Sequence, residues 1–583
     1  MNAFARIRAL VRQAVGEMAA SGELPAGMDM SAVTVQPPRA EGRGELATNA
    51  ALALARPSGM PARALADALA GRLSRCAEVR EAEVAGPGFL NLRVAPELWH
   101  ASLRMALGAG SAYGKSAVGA GEKVNVEFVS ANPTGPLHVA HSRGAVYGDA
   151  LASLLAFCGW DVVREYYVND AGAQVDVLAR TVHARYRQAL GEDVKLGEDA
   201  YPGAYLAPVG RALADKFGES LRDRPEAEWL EPVRAFAVDA MMEAIRSDLS
   251  ALGVRMDRFT SESELAASGS VEETVAELKA RDLVYVGSLP PPKGTDAADW
   301  APRAQLLFRS SAHGDDSDRP LCKADGSWAY FAPDVAYHRD KVKRGFQRLI
   351  NVWGEDHGGY VARMKAAVAA VSGGAVELDV KLCRIVRLLR DGRPFAMSKR
   401  KGDFVLIRDF LREIDADAVR FTLLARRNDA ALDLDVVRAL DRSRDNPVFY
   451  VHYAHARACS ALRKAREEFP GESFDDRRLA DADLGCLRHP SDILLARRIA
   501  GWPDAVEAAA LAHEPHRISY YLDALAGELH ALWTLGGDEP ELRFVQPDNL
   551  PVTLARAALL RSAAIVIAAG LGILGIQPRD EMR

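Results

Sequence analysis

Cysteine is scarce in this chain and never paired. Six cysteines (Cys76, Cys158, Cys322, Cys383, Cys459 and Cys486) are scattered over 583 residues with no C-x-x-C among them. That spacing excludes a structural zinc site and a disulfide framework, and it suits a reducing, cytoplasmic setting. Long apolar runs are missing too. The most apolar stretch, Ala563 to Ile576, is short, rich in Gly and Ala, and reads as a buried C-terminal helix, so no membrane partner is expected. The opening MNAFARIRALVRQAVGEMAASG carries Arg and a helical apolar stripe, but neither an uninterrupted apolar core nor a clear cleavage site; this excludes a secretory signal. Nor is charge of either sign in large excess. A net charge of −6, with 49% hydrophobic and 26% charged residues, describes a soluble globular chain and by itself argues weakly against a nucleic-acid partner. Distribution matters more than the total. Between Lys381 and Lys401 lie Arg384, Arg387, Arg390, Arg393, Lys399 and Arg400 against a single acid, Asp391. Such a run is either a solvated basic face or a surface that handles phosphate.

What is present is organised around Val124 to His141, VNVEFVSANPTGPLHVAH. Val124, Val126 and Phe128 alternate with Asn125 and Glu127, the pattern of a half-buried strand. Asn132-Pro133 and Gly135-Pro136 then break the chain. From about Leu137 to Phe157 small and apolar residues recur at helical spacing, placing His138 and His141 in a first helical turn. A helix N-terminus offers unpaired N–H groups and a partial positive charge, which suit a polyphosphate. Two His three apart share a helical face and can reach one ligand. An isolated H-x-x-H occurs on many helix surfaces, so the argument rests on its setting.

In that setting HVAH resembles the HIGH signature of class I aminoacyl-tRNA synthetases. The longer run from Glu127 through SANPTGPLHVAH to YYVNDAG (Tyr166 to Gly172) is similar to arginyl-tRNA synthetases in particular. Ala140 stands where HIGH has Gly, and a small adjustment of the ATP pose is expected from its methyl group. A second stretch, Ala396-Met397-Ser398-Lys399-Arg400, resembles the family's KMSKS loop with Ala396 in place of the first Lys. Lys123 is a candidate for the missing charge. Asp417-Ala418-Val419-Arg420 resembles the DALR signature, and the likeness extends to LGILGIQPRDEMR at the C-terminus.

The resemblance implies an arginine–tRNA ligase with three parts, as length alone suggests about three or four domains. Residues 1–115 look like a small α/β domain, with helices over Met1–Ala20 and Pro61–Cys76, a strand at FLNLRV and a Gly-rich linker over 110–121; in the family this domain contacts tRNA. Residues 116–440 alternate strands (VNVEFV, VVREYYV, RLINVWG, LDVKLCRIV) with helices, the pattern of a Rossmann-type parallel sheet, interrupted by an insertion at about 173–302. Residues 441–583 are almost wholly helical and correspond to the family's anticodon-binding bundle. The fold class is therefore multidomain α/β with a C-terminal all-α bundle.

Carried over residue by residue, the family's catalytic groups are His138, His141 and Lys399. ATP falls to Ala131, Asn132, Pro133, Thr134, Gly135, Pro136, Leu137, His138, Val139, Ala140 and His141, with Met397, Ser398 and Lys399. Arginine falls to Glu127, Asn132, Tyr330, Asp334 and His357, the last from GEDHGGY. Carboxylates suit this task because a guanidinium is best held by planar two-oxygen acceptors. Read singly, Asp334 is also an acid at a helix start beside Pro333, and Glu127 could sit on the exposed face of an edge strand. YPGAYL (Tyr201 to Leu206) matches the family without suggesting a role, and Phe449 and Tyr453 in NPVFYVHYAHAR serve a core or a base stack equally well. The resemblance further implies ATP with Mg2+ as substrate and not as prosthetic group, no bound metal otherwise, tRNA(Arg) and L-arginine as partners, and a monomer. Two alternatives are weighed. Another class I enzyme would bring cysteine-bound zinc or a large editing domain, and neither is present. A non-catalytic tRNA-binding paralogue would tolerate loss of His138, His141 or Lys399, and all three are retained.

Overall fold

A computed structural model describes residues 3–38, 44–289, 304–323, 325–394 and 405–582. Met397, Ser398, Lys399 and the PPPKGTD loop lie outside the described residues.

A parallel five-stranded sheet forms the centre, in the order Glu377–Cys383, Arg348–Gly354, Lys123–Glu127, Asp161–Val168, Arg258–Ser261. The first of these strands in sequence lies in the middle. From it the chain winds outward one way through Asp161–Val168 to Arg258–Ser261, then returns to add Arg348–Gly354 on the other flank. The reversal leaves a crevice at the carboxyl ends of Lys123–Glu127 and Arg348–Gly354, where open α/β sheets bind ligands. Four of the strands fall on the predicted segments, but Lys123–Glu127, expected half-buried, is covered on both faces because it is a central strand: Asn125 and Glu127 are buried like Val124 and Val126. Arg258–Ser261 was hidden because RFTS is short and polar, and it places a central-sheet strand inside the span read as insertion. The remainder of that span holds the helices Ala173–Ala189, Leu206–Phe217 and Glu226–Ala251, with a core of their own around Leu178, Tyr186 and Trp229.

Residues 3–94 pair an antiparallel four-stranded sheet with the helices Ala3–Ala20, Ala50–Ser58 and Ala62–Leu73. The segment expected to be a linker is instead docked. Tyr113 is buried, its hydroxyl donating to Ile499 O (3.2 Å) while its carbonyl accepts from Trp502 Nε1 (3.0 Å). Gly114 makes this possible: at φ +93 a Cβ there would lie 2.4 Å from the Trp502 indole nitrogen. Helix Glu97–Ala109 adds Trp99 and Leu103 to the same core, and Arg8 pairs with Asp504. Removing one large side chain from such a core costs ~3–5 kcal/mol. A chain lacking residues 1–115 should therefore melt at lower temperature and lose ATP and tRNA turnover together. Wild-type melting and ATP KM with only tRNA binding weakened would show the segment to be separable.

The C-terminal bundle comprises Pro447–Glu468, Asp476–Ala480, Pro490–Ala500, Trp502–Ala512, His516–Asp538 and Leu550–Ile573. The last of these corrects the reading of a short apolar segment. By length and composition this 24-residue helix could cross a membrane, but 78% of its most apolar window is buried inside the protein. Arg556 and Arg561 break the apolar run in sequence without breaking the helix.

Candidate active site

Strand Lys123–Glu127 leads into a turn where two non-glycine residues take left-handed backbone, Val129 at φ 70 and Ser130 at φ 40. A β-branched residue there is strained and must be held by its surroundings. Ser130 Oγ accepts from Tyr167 N (3.1 Å) and donates to Glu127 (3.1 Å), and the Tyr166 hydroxyl donates to Ala131 O (2.7 Å). Tyr205 supplies what YPGAYL lacked in sequence. Its hydroxyl donates to Thr134 O (2.8 Å) and would lie 3.0 Å from a Cβ at Gly135. Loss of one such bond is worth about 0.5–1.5 kcal/mol, so Tyr205→Phe should lower kcat/KM for ATP by several-fold and leave the arginine KM alone. An altered arginine KM with ATP unaffected would contradict this placement.

His138 is the N-cap of helix Val139–Phe157, and its backbone N–H donates to His141 Nδ1 (3.3 Å). The ring centroids are 3.8 Å apart. Burial lowers the pKa of His138; burial, aided by His138, lowers that of His141 to about 4. Burial thus favours the neutral form of both rings. Because His141 Nδ1 accepts a hydrogen bond, its proton sits on Nε2, where it is available as a donor. Ala140 is exposed, so its methyl crowds no core. The segment beginning at Val405 is bonded to this helix entry: Val139 N donates to Val405 O (2.8 Å) and Ile407 N to Leu137 O (3.0 Å). Asn132 is exposed and its amide donates to Gln174 (3.0 Å).

Beside this turn lies a group of carboxylates. Asp334, in the first turn of helix Phe331–Lys343, accepts from the Tyr360 hydroxyl (2.5 Å). Burial pushes its carboxyl up to about 7, opposed by that hydrogen bond and reinforced by the charges of Glu262 and Glu127. Burial also raises Glu262, which follows strand Arg258–Ser261. Two carboxyls, Asp334 and Glu262, both raised by burial, suit a cationic ligand.

The structure alters several expectations. Glu127 lies on a central strand, not an edge, and is buried against Lys341 Nζ (2.6 Å), itself fully buried. Its charge is thus already compensated internally. Tyr330 is 73% exposed under Lys323 (5.3 Å) and does not close over Asp334. His357 is exposed next to Asp356 (3.5 Å); the residue of GEDHGGY that reaches Asp334 is Tyr360. Glu262 and Lys341 carried no sequence signal, since one reads as a helix-start acid and the other as a surface helix cation.

A parallel sheet that reverses beside its first strand, a neutral H-x-x-H opening the helix after that strand, and a helical bundle downstream define a class I aminoacyl-tRNA synthetase. Family models agree: an arginyl-tRNA synthetase N-terminal domain matches residues 5–94, the class I (R) tRNA synthetase catalytic domain residues 102–206, and the DALR anticodon-binding domain residues 451–582. Arginine–tRNA ligases of Cereibacter sphaeroides (strain ATCC 17025) and Paracoccus denitrificans are 57% and 56% identical over 583 residues, the whole of this chain and of each of theirs. The solved Thermus thermophilus arginyl-tRNA synthetase shares the fold, with a TM-score of 0.71 at 23% identity over 99% of this chain and 100% of that one. The chain belongs to the arginine–tRNA ligase family, whose members join arginine to tRNA(Arg) at the expense of ATP.

Proposed function

We propose that the crevice beside Lys123–Glu127 activates arginine, with the guanidinium held by Asp334 and Glu262 and the nucleotide by 131–141. The observation that carries this reading is the placement of Asp334, bonded to the Tyr360 hydroxyl (2.5 Å), with Glu262 beside the turn that follows Lys123–Glu127; burial pushes both carboxyls up. Neutral His138 and His141 donate N–H bonds to phosphate oxygens as negative charge develops there, and Lys399 approaches the β- and γ-phosphates. Asn132 holds the backbone end of arginine. ATP enters as its magnesium complex. An arginine carboxylate oxygen attacks the α-phosphorus, the bond to pyrophosphate breaks, and arginyl-adenylate forms. A terminal ribose hydroxyl of tRNA then attacks the carbonyl carbon, its proton passing to a phosphate oxygen of the adenylate, and AMP leaves with the bonding pair.

The domain limits 1–115, 116–440 and 441–583 follow the same reading, as do a monomeric state and a cytoplasmic location without membrane contact. On the bundle, a cleft of about 480 Å³ is lined by Tyr453, Arg457, Arg463 and Trp533. Arg457 lies over the rings of Tyr453 (4.2 Å) and Trp533 (5.1 Å), and Tyr453 is exposed. Aromatic faces beside a guanidinium suit unstacked bases, which supports tRNA contact on this helix. The test is arginine-dependent exchange of pyrophosphate into ATP in the presence of tRNA(Arg), screened against each amino acid. Arginine alone should support exchange; equal exchange with lysine would refute the guanidinium pocket.

A further inference from the structure

Helix Glu226–Ala251 lies in the span read as insertion, yet its last turn holds a buried acid aimed at the active site. Asp248 is 1% exposed. Its Oδ2 accepts from Leu137 N (3.0 Å), the residue before His138, and its Oδ1 accepts from Arg408 Nε (3.0 Å). An acid in the last turn of a helix opposes the macrodipole, and burial pushes this carboxyl up further. The position is therefore unfavourable for the helix alone. What offsets it is a set of donors from two remote segments, the entry to the HVAH helix and the chain after Val405. Those segments also bond directly, through Val139 N to Val405 O (2.8 Å) and Ile407 N to Leu137 O (3.0 Å), with His138 and Leu406 facing each other as an antiparallel bridge.

We propose that Asp248 and Arg408 are positioning residues for arginine activation, fixing the entry of the His138–His141 helix against the segment at 405–408. Neither touches the guanidinium pocket. They act on where the neutral histidines stand relative to the phosphates, and the inference rests on the assignment of 131–141 to ATP. A displacement of about 1 Å in such a constellation lowers rate on the order of 10²-fold. Leu137 N–H and Arg408 both donate, so the replacement must remove the acceptor or the cation without removing bulk.

The test uses the full-length enzyme and four variants: Asp248→Asn, Arg408→Met, Arg408→Lys and His138→Asn. Pyrophosphate exchange with tRNA(Arg) gives kcat and both KM values, equilibrium dialysis gives arginine binding without ATP, and calorimetry gives Tm. Asp248→Asn and Arg408→Met should each lower kcat ~10–100-fold while arginine binding stays within about twofold, and Arg408→Lys should recover most of the Arg408→Met loss. Arg408 has 41% of its side chain exposed, and Arg408→Lys keeps a cation beside the buried Asp248, so where calorimetry shows Arg408→Met or Asp248→Asn unfolded, Arg408→Lys still reads the role through a reduced kcat with arginine binding unchanged. If Arg408→Met leaves kcat unchanged, or weakens arginine binding as much as it lowers kcat, the positioning role is overturned. If His138→Asn is itself silent, the underlying ATP assignment fails instead, and the two failures are told apart.

Discussion

Replacing Asp334 with Asn will raise the KM for arginine by about 10²–10³-fold while changing that for ATP little. The carboxylate is half-buried among Tyr360, Glu262 and Glu127, and removing one partner of a buried charge pair costs ~3–5 kcal/mol. Asn turns an N–H toward the guanidinium in place of an acceptor oxygen, so the loss falls on arginine. The wild-type enzyme should also bind arginine in a pH-dependent way. Burial pushes the Asp334 carboxyl up to about 7, and only its ionised form pairs with the guanidinium. Above that pH binding moves no proton; below it binding must expel one. The arginine KM therefore rises as pH falls, by up to about tenfold per pH unit below the titration point. Asp334→Asn should flatten this dependence. An unchanged arginine KM in the variant would reduce Asp334 to a helix-start acid.

Lys399→Ala will lower kcat for activation on the order of 10²–10³-fold, the loss associated with one preorganised donor to developing charge. Arginine binding should stay near wild type, because the guanidinium pocket belongs to the other end of the substrate. Ala396→Lys, which restores the family's first lysine, should have a much smaller effect. A silent Lys399→Ala would mean that the charge comes from elsewhere, with Lys123 the next candidate. Rapid quench of a single turnover separates this chemical step from product release.

The parts of this molecule legible in its sequence are those set by local pattern. Alternation exposed four of the five central strands, and HVAH announced the start of a helix because its breakers and apolar spacing are contiguous. Contacts made across the fold were not legible. Lys341 stands in a charged run, DKVKRG, that any solvated helix end could carry, yet it is the cation beneath Glu127. Glu262 was invisible because the strand that positions it is short and polar. GEDHGGY offers a histidine and a tyrosine three residues apart, and nothing local tells which of them reaches Asp334; the fold brings the Tyr360 hydroxyl to it. Tyr113 shows the same limit in a segment rich in glycine, where composition suggests a tether and one positive φ permits a packed joint.

That joint also dictates when the protein can finish folding. Tyr113 and Arg8 meet Trp502, Ile499 and Asp504, and Leu103 O accepts from Ser562 in the last helix (3.4 Å). Ribosomes add roughly 5–20 residues per second, so the opening helix waits tens of seconds for its partners to emerge. During that interval its apolar stripe, Ile7, Leu10, Val11 and Met18, lacks the far side of its core. Helix Leu550–Ile573 meets the opposite situation: it is made after most of the segments it packs against, and its apolar face finds them already present. An enzyme that supplies arginine to translation thus closes its own core between segments that the ribosome makes hundreds of residues apart.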